Sequence, residues 1–167
     1  MFSKRTPPDF APNELSRRRG ELGRGGARIL DLTETNPTRA GFLAPPNLLA
    51  WFGSPEGAHY AADPMGLRPA REAVSRDYAA RGAEVDPDHI VLTASSSESY
   101  SLLFKLLGDP GDHVLVPTPS YPLFGHLADL EGLRALPYPL HFDHEWHLSL
   151  DSVRALITPR TRAVVVV

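Results

Sequence analysis

Short apolar runs alternate with segments of helical periodicity from residue 66 to residue 167. A first helix is expected where apolar residues recur at helical spacing from Leu67 to Tyr78; Pro69 suits its first turn, and Gly82 suits the position after its last turn. Alternation of this kind, with short connections, predicts an α/β fold in three α/β/α layers, a mostly parallel sheet covered by helices on both faces. The predicted strands are 90–93, 113–116, 134–138 and 163–167, and the later helices are 96–107, one between Ser120 and Gly132, and 149–157.

The first 65 residues are less regular and are broken by proline and glycine. Asn13 is a suitable N-cap for a short helix, and Asn47 could begin another. Between them, Ile29–Leu32 is predicted to form a short strand that runs into a turn at Asn36 and Pro37.

The chain ends in Ala-Val-Val-Val-Val, residues 163 to 167. A run that is apolar on both faces is typical of a central strand of a parallel sheet, and domains seldom stop on such a strand. We therefore expect this chain to be cut short.

Charge and composition argue against several classes of partner. The formal net charge is −3 and the isoelectric point about 6.1, so no positive field favours nucleic acid or an anionic membrane. The N-terminus lacks the apolar core of a signal peptide, and no stretch approaches the roughly 20 apolar residues of a membrane span. The absence of cysteine fits a reducing compartment. A cytoplasmic protein that binds neither nucleic acid nor membranes is expected.

Three consecutive serines, Ser95, Ser96 and Ser97, stand between the predicted strand 90–93 and the following helix. Ser95 with Glu98 has the spacing of a capping box, which would be a purely structural role. The same position, at the carboxyl edge of a parallel sheet and at a helix N-terminus, also suits an anion such as a phosphate. Both interpretations remain open from the residues alone.

Other side chains also have two interpretations. Tyr121 leaves the next strand at the same edge and could offer its ring to a ligand or simply pack at a helix start. His141, His144 and His147, near Asp143, have side chains that zinc accepts. A solvated surface loop is the preferred interpretation of these histidines, and no metal site is predicted.

Three ordered segments together resemble one known family: GLRPAREAVSRDYAARG, IVLTASSSESYSLLFKLLGDPGDHVLVPTPSYPLF and TRAVVVV. They are similar to the class I/II aminotransferases, the fold type I enzymes that depend on pyridoxal 5′-phosphate, from about Asp31 to Val167. The resemblance implies an incomplete major domain of these transferases, preceded by an N-terminal arm. Residues 1–47 would be the arm and the start of the small domain, and residues 48–167 the N-terminal part of the large cofactor-binding domain, truncated.

The same resemblance implies roles for single residues. Ser95, Ser96 and Ser97 resemble the turn that binds the cofactor phosphate, and Tyr121 resembles the aromatic residue stacked on the pyridine ring. Tyr60 is similar to the tyrosine that reaches the cofactor of a neighbouring subunit, which implies a homodimer. Asn36 falls near the segment that approaches the substrate.

No catalytic residue is expected within this chain, because the family's Schiff-base lysine follows later in the sequence. Lys4 and Lys105 are the two lysines present, and neither position suits that role. The resemblance implies that the full protein transfers an amino group from an amino acid to a 2-oxo acid, while this chain alone is inactive. The alternatives are a pyridoxal phosphate-dependent lyase or decarboxylase of the same fold, or a noncatalytic remnant that acts as a binding module.

Overall fold

The computed structural model describes residues 3, 5–6, 11–30, 32–53 and 55–167. It divides into two compact units, Asp9–Pro64 and Met65–Val167, the second of which also includes residues 3, 5 and 6. Within the described residues, none of the helices combines the length and the apolar character needed to cross a bilayer. The predicted domain division after residue 47 stays a prediction.

The first unit contains one α-helix, α1, at Glu14–Arg24, and two 3₁₀ helices at Leu48–Gly53 and Pro55–Ala58. The predicted cap of α1 is confirmed, because the Asn13 carboxamide oxygen accepts a hydrogen bond from the amide of Ser16 at 2.8 Å. The strand predicted over residues 29–32 is wrong, because residues 29, 30 and 32 have irregular backbone. Residue 31 lies outside the described residues. A strand needs a hydrogen-bonded neighbour, and the described part of this unit contains no other strand.

The second unit carries the regular alternation of helices and strands. Its helices are α2 at Arg68–Ala80, α3 at Ser96–Leu107, α4 at Leu123–Leu130 and α5 at Leu150–Leu156. Its strands are β1 at His113–Thr118, β2 at Arg134–Asp143, β3 at Glu145–Leu148 and β4 at Thr161–Val164.

The strands form one sheet in the order β3–β2–β1–β4. The central strand β1 is parallel to both of its neighbours, β2 and β4, as the alternating pattern predicts. The edge strand β3 pairs with β2 in an antiparallel hairpin, so the sheet is mixed. The predicted α/β class is confirmed, with a partial sheet.

Alternate residues of β1 pack on opposite faces of the sheet, because successive side chains of a strand point to opposite sides. Val114 and Val116 pack in a cluster with Phe104 of α3 and Phe124 of α4. Leu115 packs in a second cluster on the other face, with members from β2 and α5. Helices therefore cover both faces of the sheet, and the predicted three layers are confirmed.

Two predicted features, one just before α3 and one just before α4, are wrong. Residues 90–93 do not form a strand. Ile90 has extended backbone, but its amide bonds to the Pro87 carbonyl at 3.3 Å, and the Leu92 amide bonds to the Met65 carbonyl at 2.9 Å. No described strand lies beside residues 90–93 to complete a ladder. Ser120 does not cap α4, which begins three residues later with Pro122 at the N-cap and no side-chain cap.

Candidate functional site

The serine turn, defined as Ser95, Ser96 and Ser97, begins α3 with a capping box. Ser95 is the N-cap, with extended backbone, and its hydroxyl oxygen accepts a hydrogen bond from the Glu98 amide at 3.2 Å. The Glu98 carboxylate in turn accepts from the Ala94 amide at 2.6 Å. The predicted capping box is confirmed, except that Glu98 reaches the amide one residue before the cap.

Two backbone amides remain as donors at the start of α3. The first four amides of an α-helix have no partner within the helix, and here the amide of Glu98 is bound to the Ser95 hydroxyl. The Ser99 amide makes the first bond of the helix, to the Ser95 carbonyl at 3.1 Å, so among the residues of α3 the amides of Ser96 and Ser97 remain.

The hydroxyl groups of the same two residues add further donors. Within the described chain, neither the Ser96 nor the Ser97 hydroxyl has a hydrogen-bond partner, and both residues are at least partly exposed. Oriented amides, hydroxyls and the positive end of a helix dipole form a donor set that suits a phosphate group. The residues present therefore fit a phosphorylated cofactor.

Tyr121 connects to the serine helix through a row of aromatic rings. The Tyr121 ring meets the buried Phe124 edge to face, with centroids 5.4 Å apart. Phe124 meets Tyr100 in the same way at 5.0 Å, and Tyr100 lies in the second turn of α3. Tyr121 is 42% exposed, so part of its side chain remains accessible beside its contact with Phe124.

Tyr60 and Asn36 belong to the first unit. Tyr60 is 96% exposed in an irregular segment. The Asn36 carboxamide oxygen accepts hydrogen bonds from the amides of Thr38 at 3.0 Å and Arg39 at 3.2 Å. That oxygen therefore holds a turn, and the predicted roles of Tyr60 and Asn36 at cofactor and substrate stay predictions.

Lys105 is bound in an ion pair away from the serine turn. Its ammonium group lies 2.9 Å from the carboxylate of Glu131 and 3.0 Å from the hydroxyl of Ser101. A hydrogen bond from Ser101 and, after it, the interactions with Lys105 lower the pKa of the Glu131 carboxyl. Lys105 lies nine residues after Ser96, roughly 14 Å along the helix axis at a rise of 1.5 Å per residue. Lys4 lies outside the described residues.

The three histidines lie on the β2–β3 hairpin, so the loop predicted there is wrong. His141 is opposite His147, and Phe142 is opposite Trp146 with ring centroids 5.3 Å apart. Alternation over HFDHEWH places the two aromatic rings on one face, where such a cross-strand pair stabilises the hairpin. His144 sits at the tip with φ 61°, and its ring nitrogen Nδ1 is 2.8 Å from an Asp143 carboxylate oxygen. Among the residues that the structure describes, no three His, Cys, Asp or Glu side chains are arranged to hold a metal ion.

Sequence reasoning did not single out Thr93, Ser99 or Tyr100 near the serine turn. Thr93 and Ser99 are joined by a hydrogen bond between their hydroxyls at 2.7 Å, across the N-terminus of α3. A threonine two residues before a cap and a serine four residues after it are a visible signal, but many hydroxyl residues near helix ends only contact water. Tyr100 has the helical spacing of a core residue, and no other sequence signal indicates that it lies near the serine turn.

Residues 39–167 match the family described as aminotransferase class I and II. Over 145 residues, the chain is 35% identical to the glutamate-pyruvate aminotransferase of Escherichia coli strain K12. That match covers 85% of this chain and 36% of the relative, so the chain spans little more than a third of the length of that protein.

Two solved structures have a similar fold. The alanine aminotransferase of Pyrococcus furiosus superposes with a TM-score of 0.77 at 30% identity, covering 98% of this chain and 43% of that one. A mutant of the aspartate aminotransferase of Thermus thermophilus gives 0.75 at 26% identity, covering 99% and 44%. The α/β architecture around the serine turn is therefore shared with structures of this class of enzyme.

Proposed function

The chain belongs to the class I and II aminotransferase family, whose members depend on pyridoxal 5′-phosphate, and we propose that the whole protein transfers an amino group from an amino acid to a 2-oxo acid. In this proposal, residues 1–47 form the arm and the start of the small domain. Residues 48–167 form the first part of the large cofactor-binding domain.

The observation that carries the proposal is the donor set of the serine turn. The amides and hydroxyls of Ser96 and Ser97 would hold the cofactor phosphate, while the Ser95 hydroxyl is used as the cap of α3. The carboxylate of Glu98 is bound to the amide of Ala94, which neutralises part of the repulsion that a phosphate would meet there.

Tyr121 would orient the cofactor ring. Its face is available to stack on a flat ring, and Phe124 and Tyr100 behind it limit its movement. When bound, pyridoxal 5′-phosphate supplies an electron sink that stabilises negative charge at the α-carbon of the amino acid. The residues of this chain would anchor and orient the cofactor, while the choice of substrate and of bond depends on the rest of the protein.

Alanine and pyruvate are the substrate pair we propose to test first. The names of the Escherichia coli and Pyrococcus furiosus relatives mention pyruvate and alanine, which supports a small amino acid. The full-length gene product should convert alanine and 2-oxoglutarate to pyruvate and glutamate when supplied with the cofactor, measured by coupled pyruvate reduction. Release of ammonia or carbon dioxide, with no glutamate formed, would instead indicate a lyase or decarboxylase.

The serine turn has its own test. Replacing Ser96 and Ser97 together by alanine removes two hydroxyl donors and leaves the cap at Ser95 intact. The dissociation constant for pyridoxal 5′-phosphate should rise about 3- to 10-fold for each hydrogen bond lost, on the basis of about 1 kcal/mol per bond. Unchanged cofactor affinity in the double variant would limit the serines to a structural role.

We further propose that the 167-residue chain alone is inactive. Lys105 is held by Glu131 and Ser101, so its ammonium group is not available to bind the cofactor aldehyde at the serine turn. Incubation of this chain with pyridoxal 5′-phosphate and borohydride should give no stoichiometric adduct in a mass spectrum. An adduct at Lys105 in equal amount to the protein would contradict this.

The proposal includes a homodimer that works in the cytoplasm, where free amino acids and 2-oxo acids are abundant. The exposure of Tyr60, at 96%, supports a contact made by this residue outside its own chain. Sedimentation of the full-length gene product should give twice the monomer mass, and Tyr60→Phe should weaken cofactor binding without changing that mass. A monomer that retains full activity would refute this part of the proposal.

A further inference from the structure

Three hydrogen bonds converge on the Ser95 carbonyl oxygen at the start of the serine turn. The Thr93 hydroxyl donates to the Ser95 carbonyl oxygen at 3.0 Å, and the Ser99 amide donates to the same oxygen at 3.1 Å. The hydroxyls of Thr93 and Ser99 are 2.7 Å apart. The Ser99 hydroxyl also lies within hydrogen-bond distance of the Ser95 carbonyl oxygen, at 3.4 Å.

These contacts fix one peptide plane. A trans peptide is planar, and its carbonyl and the following amide point in opposite directions. The Thr93 hydroxyl, the Ser99 amide and the Ser99 hydroxyl all donate to the Ser95 carbonyl oxygen. The plane between Ser95 and Ser96 therefore cannot rotate without breaking a bond. The Ser96 amide is therefore held pointing away from the Thr93 side of the turn.

The cap bonds act on different groups. The Ser95 hydroxyl satisfies the Glu98 amide, and the Glu98 carboxylate satisfies the Ala94 amide. Neither bond involves the plane that carries the Ser96 amide. Thr93 and Ser99 thus have a function that the capping box does not already supply.

We propose that Thr93 and Ser99 are positioning residues for the cofactor phosphate, which they orient by aiming the Ser96 amide without touching the phosphate themselves. This inference rests on the proposed function, since it concerns the same serine turn. A preorganised donor loses less conformational freedom when the phosphate binds. Preorganisation should therefore increase the affinity for a ligand that carries the phosphate and leave the affinity for a ligand without it unchanged.

The test compares pyridoxal 5′-phosphate with pyridoxal, which lacks the phosphate. In the full-length gene product, Thr93→Val keeps the shape of the side chain and removes its hydroxyl. The dissociation constant for pyridoxal 5′-phosphate should rise about 3- to 10-fold, the range that one hydrogen bond of ordinary strength predicts. The dissociation constant for pyridoxal should stay within about 2-fold, because that ligand does not use the Ser96 amide.

Two further variants separate positioning from folding. Thr93→Ser retains the hydroxyl and should restore the wild-type preference for the phosphorylated ligand. Ser99→Ala leaves the bond from Thr93 to the Ser95 carbonyl in place, so it should produce a smaller loss than Thr93→Val. The double variant should lose at least as much affinity as Thr93→Val alone, because the Ser99 hydroxyl also donates to the Ser95 carbonyl oxygen. Circular dichroism checks that each variant is folded. If Thr93→Val does not fold, Ser99→Ala still allows the two ligands to be compared.

Each outcome of the comparison is decisive. If Thr93→Val weakens both ligands by the same factor, or neither, Thr93 does not position the phosphate donors and the inference is wrong, although the proposed function stands. If the wild-type protein fails to bind pyridoxal 5′-phosphate, the proposed function is wrong, and this inference fails with it.

Discussion

The Tyr138 hydroxyl ties β2 to the segment that follows β4. Tyr138 is 1% exposed, and its hydroxyl donates to the carbonyl oxygen of Val165 at 2.7 Å. The bond spans the central strand β1, because β2 and β4 lie on opposite sides of β1 in the sheet. Tyr138→Phe removes this one hydroxyl and keeps the buried ring.

The expected loss of stability follows from the burial of both partners. A neutral hydrogen bond contributes about 1 kcal/mol net, and a buried carbonyl left without its partner costs about 1–3 kcal/mol. Val165 is 8% exposed, so water reaches its carbonyl poorly once the hydroxyl is gone. We expect Tyr138→Phe to lower the free energy of unfolding by about 2 kcal/mol.

The assay is equilibrium urea denaturation followed by tryptophan fluorescence at pH 7. Tyr78→Phe is the matched control: Tyr78 is 47% exposed on α2, and the same change there should alter the free energy of unfolding by less than about 0.5 kcal/mol. A Tyr138→Phe variant as stable as the control would refute the argument that this bond holds the segment after β4 in place.

The difference in free energy of unfolding between wild type and Tyr138→Phe should also depend on pH, which gives a second check. Burial raises the pKa of the Tyr138 hydroxyl above its ordinary value of 10.0. The folded state therefore holds this proton more tightly than the unfolded chain. The contribution of the protonated hydroxyl to the free energy of unfolding is fully present below about pH 10, and it is lost as the pH rises through the folded pKa. The gap in stability between wild type and Tyr138→Phe should narrow above pH 10, and a constant gap would contradict this origin.

Three further predictions concern the serine turn, the aromatic row and the ion pair of α3. Ser95→Ala should lower the free energy of unfolding by about 1 kcal/mol, measured in urea, because the Glu98 amide loses its cap; no change would contradict the cap. Tyr121→Ala should raise the dissociation constant for pyridoxal 5′-phosphate about 2- to 12-fold in an absorbance titration, while Tyr121→Phe should leave it unchanged. Because Ser101 holds the pKa of Glu131 below its ordinary range, the stability from this carboxylate is present above about pH 4.3 and is lost as the pH falls through the folded pKa. The melting temperatures of wild type and Glu131→Gln should therefore converge at acid pH, and a difference that persists at pH 2 would argue against this linkage.

The elements that sequence patterns predicted well are those with strong local signals. Helix α3 begins and ends at the predicted residues, since its cap and its apolar periodicity are both local. The glycine after α2, Gly82, has the positive φ of 85° expected at that position. Strand β1 was predicted from a short apolar run, and the structure extends it to Thr118.

The features that the patterns missed depend on a distant partner. The histidines and carboxylates on the exposed face of the β2–β3 hairpin are typical of a loop, and they conceal the pairing of Phe142 with Trp146. The segment 90–93 has the composition of a strand but lacks a described neighbour to pair with. Composition alone cannot tell these cases apart, because a strand is defined by hydrogen bonds to another segment.

The amino-acid sequence by itself determined the bounds of α3, the glycine after α2 and most of β1. These features depend on residues close together in the sequence. Their hydrogen bonds and apolar periodicity are local and need no distant partner. Only the tertiary structure decided that Phe124 joins Tyr121 to Tyr100, and that Tyr138 reaches Val165, 27 residues away. Such contacts depend on which strands become neighbours in the sheet, and that is set by the packing of both helical layers on β1.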